Sequence, residues 1–228
     1  MEFAKPCFDV GLYTEQLDPM LTFWQQKVGT PFDHMVPLGG GKRQHRHDAH
    51  GSVVKINHSR NPLPDNPPTG YREVLIARDG VLGVKALSDP DGNNVALVEP
   101  GMHGVAQLAM RMAVRSIEAH SRFYRDAFGL VEMPYDKGVA FGLGQGALLL
   151  EQADDAPSNA MNEGKGWRYI TFQVFNADEA HVKALNAGGV EGMAPTTLGT
   201  TARISFVRDP DGNWIELSQR ASLVGALD

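Results

Sequence analysis

Two copies of one five-residue turn, 120 positions apart, restrict what this chain can fold into more than any other feature. Asp89-Pro90-Asp91-Gly92-Asn93 returns as Asp209-Pro210-Asp211-Gly212-Asn213, and each copy leads into an apolar alternation, Val95 and Leu97 in one, Ile215 and Leu217 in the other. Pro fixes φ, Gly supplies a positive φ, and the Asp and Asn side chains bond nearby backbone, so these are structural turns. A second pair of segments, residues 17–29 and 117–129, carries an apolar residue followed six later by Phe23-Trp24 or Phe123-Tyr124, then a glycine, at an offset of 100. Self-similarity on this scale means a duplicated supersecondary unit. The two offsets differ by 20, so the first copy lacks a segment of that size.

The gap can be placed. In the second copy the strand-like 169–175 precedes 177–188, where Ala180, Val182 and Leu185 with a closing Gly188-Gly189 predict a short amphipathic helix. In the first copy Glu73 to Arg78 runs through Asp79-Gly80 straight into the next apolar run, which predicts a hairpin in place of a crossover helix. The expected fold is therefore α+β: four tandem βαβββ units in two modules, 1–102 and 103–228, with the helix of the second unit deleted.

Composition narrows the function classes. A chain of 228 residues that is 42% apolar buries a sizeable core, its formal charge of -6 disfavours nucleic acid, and no apolar run approaches the ~20 residues of a membrane span. A cytoplasmic protein with neither membrane nor nucleic-acid partner is expected. Cys7 is the one cysteine and sits in an apolar strand pattern, which reads as a buried structural thiol.

The order of these pieces resembles the vicinal-oxygen-chelate superfamily of glyoxalases, bleomycin-resistance proteins and extradiol dioxygenases. The likeness rests on Phe123-Tyr124, Phe128-Gly129-Leu130 and the segment Asp209 to Leu217 with its Ile215-Glu216-Leu217. It covers nearly the whole chain and is weakest over 65–81 and 152–166, the latter a linker or lid. The resemblance implies mixed sheets curled into cups, with metal ligands at cup-facing positions of the opening strand (commonly His) and closing strand (commonly Glu) of each unit.

Carried onto this chain, those positions fall on Asp9 and Ala109, fourteen residues before the helix Phe23 and Phe123, and on Glu73 and Tyr169 in the opening strands of units two and four. The closing strands place Lys55, Ala96, Leu150 or Glu151, and Glu216 there. Asp9 faces the cup with Gly11 and Tyr13 if Phe8, Val10 and Leu12 face the core. The His, His, Glu set of extradiol dioxygenases is not present, which argues against ring-cleaving iron chemistry.

Five of the eight histidines lie between His34 and His58, and His45-Arg46-His47 puts two imidazoles on one strand face. Three readings stand: a solvated strand edge, ligation of one divalent ion by at least one of them together with Asp9 or Glu73, or acid–base or substrate-binding histidines without metal. Glu73 itself reads either as a salt bridge to Arg72 or Lys55, or as a ligand or general base. His58 is a further acid–base candidate only if its strand has ended, since parity with Lys55 points it away. Arg43 shares the face of His45 and His47 and could orient an anionic substrate. Lys55, Tyr169 and Glu216 are candidate substrate contacts, with Glu216 alternatively a relict hydrogen-bonding position.

The leading expectation is a metal-dependent isomerase- or lyase-type enzyme for a small oxygenated molecule. Its cup is made by units one and two, with Asp9, His45, His47 and Glu73 around zinc, iron, manganese or nickel, and with Asp9, Glu73 and His58 as its catalytic groups. The rival is a metal-free small-molecule-binding protein in which Asp9 and Lys55 neutralise each other, and an extradiol-type dioxygenase is third. Strand edges of such modules suggest a homodimer. Whether unit one pairs with unit two or unit four stays open at this stage.

Overall fold

A computed structural model describes residues 1–227. Unit one is β1 (Phe3–Thr14), α1 (Leu17–Thr22, continued by a π-helical turn Phe23–Val28), β2 (Phe32–Gly39), β3 (Lys42–Ala49) and β4 (Ser52–Ser59). Unit two has strands alone, β5 (Tyr71–Ala77), β6 (Val84–Ser88) and β7 (Asn94–Val98). Unit three is β8 (Leu108–Val114), α2 (Ile117–Phe128), β9 (Val131–Tyr135), β10 (Gly138–Leu143) and β11 (Gly146–Gln152). Unit four is β12 (Gly166–Val174), α3 (Ala177–Asn186), β13 (Val190–Leu198), β14 (Ala202–Arg208) and β15 (Trp214–Arg220), followed by a single turn, α4 (Ala221–Val224). The helix expected after β12 is present, and no helix stands between β5 and β6.

These strands form two curled mixed sheets, ordered β13-β14-β15-β12-β1-β4-β3-β2 and β6-β7-β5-β8-β11-β10-β9. In every unit the opening strand runs parallel to its own closing strand: β1 with β4, β5 with β7, β8 with β11, β12 with β15. Opening strands then meet antiparallel at each sheet centre, β1 with β12 and β5 with β8. Unit one thus pairs with unit four and unit two with unit three, so each sheet draws one unit from each half of the chain. The cup of units one and two is corrected accordingly. The Asp79-Gly80 turn is also not a hairpin, because β6 pairs with β7 rather than β5 and the turn carries the chain to the sheet edge.

Period-two alternation decides which face is which. Phe8, Val10 and Leu12 of β1, Ile170 and Phe172 of β12 and Met110 and Met112 of β8 enter one apolar core shared by both sheets and the helices. On α2 the buried Phe123, Tyr124 and Phe128 form the inward stripe, with Ser116 accepting from Ala119 N at 3.2 Å at its start and Gly129 at φ 69° ending it. Phe128 packs on Phe172 at a 4.8 Å ring separation, tying the helix of unit three to the sheet of units one and four. Both Asp-Pro-Asp-Gly-Asn segments fold as expected: Asp89 accepts from the backbone of Asp91 and Asn93 at 3.0 and 2.8 Å, and Asp209 from Asp211 and Asn213 at the same distances. No helix of the described residues is long and apolar enough to cross a membrane.

Candidate functional site

The concave faces of the two sheets differ in kind. In the sheet of units two and three the cup is filled by its own side chains, among them Leu75, Ala96, Val98, Ala109, Ala147 and Leu149. Of its carried-over positions only Glu73 and Glu151 are ionisable, and both are held by Arg111, at 2.7 and 3.4 Å. Glu73 therefore has an ion pair, but with Arg111 of the antiparallel neighbour β8 rather than with Arg72 or Lys55.

The sheet of units one and four carries a polar, buried cup. Its face alternates with the core residues: Asp9, Gly11 and Tyr13 on β1, Lys55 and Asn57 on β4, Tyr169, Thr171 and Gln173 on β12, Glu216 on β15. At the centre Lys55 Nζ donates to Glu216 Oε2 and Thr171 Oγ1, both at 2.6 Å, and Thr171 Oγ1 also donates to the same carboxylate oxygen at 2.6 Å. Lys55 is 2% exposed and its charge lies 5.5 Å from the Tyr169 ring centroid. Burial pulls the Lys55 amine down, while Glu216 and Asp9 oppose that. For Glu216 burial works against the charge, and the Lys55 ammonium with its hydrogen bond outweighs it, leaving the carboxyl below the usual range.

Beside this pair, Asp9 accepts from Lys5 Nζ at 2.6 Å, from the Val53 backbone at 2.9 Å and from Gln173 Nε2 at 3.0 Å. Burial again opposes its charge, and Lys5, Lys55 and Arg46 overcome it, so its carboxyl too sits below the usual range. Asp9 is thus neutralised chiefly by Lys5, and Lys55 by Glu216, instead of by each other. Further along, the Tyr169 hydroxyl accepts from Gln44 at 3.2 Å and from Asn57 at 3.0 Å. Gly11 permits this, since a Cβ there would lie 2.2 Å from Cζ of the Tyr169 ring.

Strand β3 has the opposite parity to the one expected. Directly opposed residues share a face, and the register pairs Arg46 with Lys55 and Gln44 with Asn57, but His47 with Val54 and His45 with Ile56. Arg46 and Gln44 therefore enter the cup, while His45 and His47 turn towards α1, where His47 Nε2 lies 3.4 Å from Gln25 Nε2 and burial pushes its pKa down to about 4. Arg43 is exposed, opposite His58. His58 lies inside β4, so the strand has not ended there and the side chain shares the outer face of Ile56. Of the expected site residues the structure gathers Asp9, Lys55, Tyr169 and Glu216, and separates from them His45, His47, His58, Arg43 and Glu73.

The divalent ion implied by the resemblance does not fit the residues gathered here. At the cup centre stand Asp9, Lys55, Thr171 and Glu216, with Tyr169, the position carried over for unit four, two residues from Thr171 on β12; an ammonium has no lone pair to give, and Asp9 already accepts three hydrogen bonds. Among the described residues no group of three or more His, Cys, Asp or Glu side chains is arranged to hold a metal ion.

The residues missed at the level of sequence are Thr171, Gln173, Asn57, Gln44 and Arg46. For the first three a signal exists, because polar residues alternate with Ile170, Phe172 and Val174 on β12 and with Val54 and Ile56 on β4. Strand β3 is polar on both faces, so only its pairing reveals its parity.

The family model described as Glyoxalase/Bleomycin resistance protein/Dioxygenase superfamily matches residues 101–217. The chain belongs to that superfamily. Its fold is that of glyoxalase I from Zea mays: a single-site variant of that enzyme superposes with a TM-score of 0.74 at 14% identity over 92% of both chains. The unsubstituted maize enzyme gives 0.68 at 16% identity, over 92% of this chain and 91% of its own. No curated protein sequence matches. At such identities the maize structures speak for the fold alone, and the cup's chemistry rests on its own residues.

Proposed function

We propose that the cup of units one and four handles a small oxygenated molecule by metal-independent proton transfer next to a carbonyl, with Lys55 serving as the cation and Glu216 as the base. The observation that carries this is the pair itself. Lys55 has three N–H donors, two of them engaged by Glu216 and Thr171; Glu216 has two oxygens, and both contacts fall on Oε2. One ammonium proton and one carboxylate oxygen remain for a ligand, on residues that are 2% exposed for Lys55 and 9% for Glu216.

A carbonyl oxygen placed at the free Lys55 N–H is polarised, and Glu216 Oε1 takes the proton from the adjacent carbon. The electron pair moves onto the oxygen as an enolate held by the ammonium. For an α-hydroxycarbonyl compound, transfer of the hydroxyl proton to the enolate oxygen and return of the abstracted proton to the former carbonyl carbon complete an isomerisation; where a β-substituent is present, the enolate pair instead expels it as an anion that takes the proton from Glu216, completing an elimination. A homodimer through an exposed sheet edge and a cytoplasmic setting are part of the same proposal, the first tested by light scattering.

The test is solvent-deuterium incorporation into a panel of α-hydroxycarbonyl compounds, followed by NMR with protein treated with a chelator. Exchange should survive the chelator and fall by about 100-fold or more in Glu216→Gln. Exchange that vanishes with chelation and returns with an added divalent ion contradicts the proposal. Saturable binding without any exchange would instead support a second reading, a sequestering protein, which the near-complete burial of Lys55 favours.

A further inference from the structure

A cleft of about 510 Å3 opens at the Asp9 end of this cup, roofed by Ala221, Ser222 and Leu223 of α4. Two guanidinium groups line it, Arg46 from β3 and Arg220 from the end of β15. Neither guanidinium has all its N–H donors filled. Arg46 is 5% exposed, yet its one close hydrogen bond runs from Nη1 to Gln44 Oε1 at 2.8 Å. Its Nε has no partner, and its Nη2 stands 3.9 Å from Asp9 Oδ2, beyond hydrogen-bond reach.

Asp9 does not come closer because Lys5, Gln173 and Val53 already occupy its oxygens. Arg220 is partly buried and lines the same cleft as Arg46; burial first and then the charge of Arg46 hold its guanidinium below its usual range, against the opposing pull of Glu216, Asp9 and Asp33. The remaining ionisable groups lining the cleft are Lys5, which is spent on Asp9, and Asp33 with His34, which pair with each other at 2.8 Å. Unfilled donors on a buried cation cost stability, and a second cation nearby adds repulsion. An anion between them would remove both costs.

We propose that this end of the cup is an oxyanion subsite, in which a carboxylate or phosphate group of the ligand accepts from Arg46 Nε and Nη2 and from Arg220. The planar guanidinium presents Nε–H and Nη2–H as a fork that matches two oxygens of such a group. The subsite lies beside Lys55 on the same floor, so the substrate class it selects is a small carbonyl compound bearing an acidic group at one end. That assignment extends the reading of the cup as a small-molecule site and rests on it.

The experiment is calorimetric titration of the chelator-treated protein with inorganic phosphate and, separately, with malonate, at constant ionic strength with chloride as control. One equivalent of at least one probe should bind, and whichever binds distinguishes a phosphate from a carboxylate subsite. Arg46→Met and Arg220→Met should each weaken that binding by about tenfold or more, with Arg46→Lys falling between, since it keeps the charge but loses the fork. Arg220 is partly exposed, so its variant decides the matter even if Arg46→Met fails to fold.

Equal binding by wild type and both arginine variants, or no saturable binding of either probe by wild type, overturns the subsite. Glu216→Gln separates this result from the proton-transfer reading. Anion binding retained in that variant while the wild type exchanges no deuterium leaves the subsite standing and removes the chemistry.

Discussion

Replacing Lys55 by Met removes the cation from a carboxylate that is already buried, and the structure fixes how much that should cost. Removing one partner of a buried pair destabilises by about 3–5 kcal/mol, because the remaining charge is left without compensation. Glu216 escapes part of this, since its side chain is 12% exposed and Thr171 still donates to it at 2.6 Å. A loss of about 2–4 kcal/mol is expected, which for a chain of this size lowers the unfolding midpoint by roughly 4–16 °C.

The pH dependence gives a second handle. In the wild type the Glu216 carboxyl lies below its ordinary range, so its stabilisation is complete above the unfolded-state value and is lost as pH falls through the folded one. In Lys55→Met the same carboxyl is raised, so stability should improve as pH falls from 7. Urea unfolding from pH 4.5 to 8 reads both effects. The double variant Lys55→Met/Glu216→Leu should recover most of the loss, since an apolar pair of similar volume replaces a buried ion pair at little cost. A Lys55→Met protein within about 0.5 kcal/mol of wild type, with an unchanged pH slope, would mean that Lys55 does not compensate the Glu216 charge.

Three other predictions concern single positions. His47 is fully buried with its pKa pushed down to about 4 from an ordinary 6.5, so its neutral form favours the fold: stability should be complete above pH 6.5 and fall by up to about 3 kcal/mol as pH drops towards 4. His47→Gln should flatten that limb in urea unfolding, and an unaltered limb would show that other groups produce it. Gly11→Ala forces a Cβ into the Tyr169 ring and should cost about 1–3 kcal/mol with a changed near-ultraviolet tyrosine signal, whereas a neutral substitution would mean that the ring does not lie across β1. Glu73→Gln should leave anion binding and deuterium exchange at wild-type levels, because Glu73 belongs to the other sheet; loss of either would reopen a role for it.

The architecture was legible because repeats and turns act locally. The offset pairs at 17–29/117–129 and at the two Asp-Pro-Asp-Gly-Asn turns defined the units, and Gly188-Gly189 marked the end of α3. Asp9 could be placed because Phe8, Val10 and Leu12 alternate around it, and a residue opposite three apolar neighbours must face the other way. The same rule failed at His45 and His47 because Lys42 to Asp48 offers no apolar face, so the strand's parity is set by its bonding to β4. Which units share a sheet was not legible either, since β1 and β5 both present one apolar and one mixed face, and the choice of partner is made by packing across the chain. That choice moved Glu73 out of the site and brought Glu216 in.

Lys55 stands where this cup could otherwise take a divalent cation. The decisive measurement is titration of zinc, manganese and nickel into chelator-treated wild type and Lys55→Glu, with metal content read by elemental analysis of protein purified without a histidine tag. No stoichiometric ion is expected in the wild-type cup and one in Lys55→Glu, where a second carboxylate faces Glu216 in place of the ammonium. A stoichiometric ion in wild type that disappears in Glu216→Gln would contradict that role of Lys55.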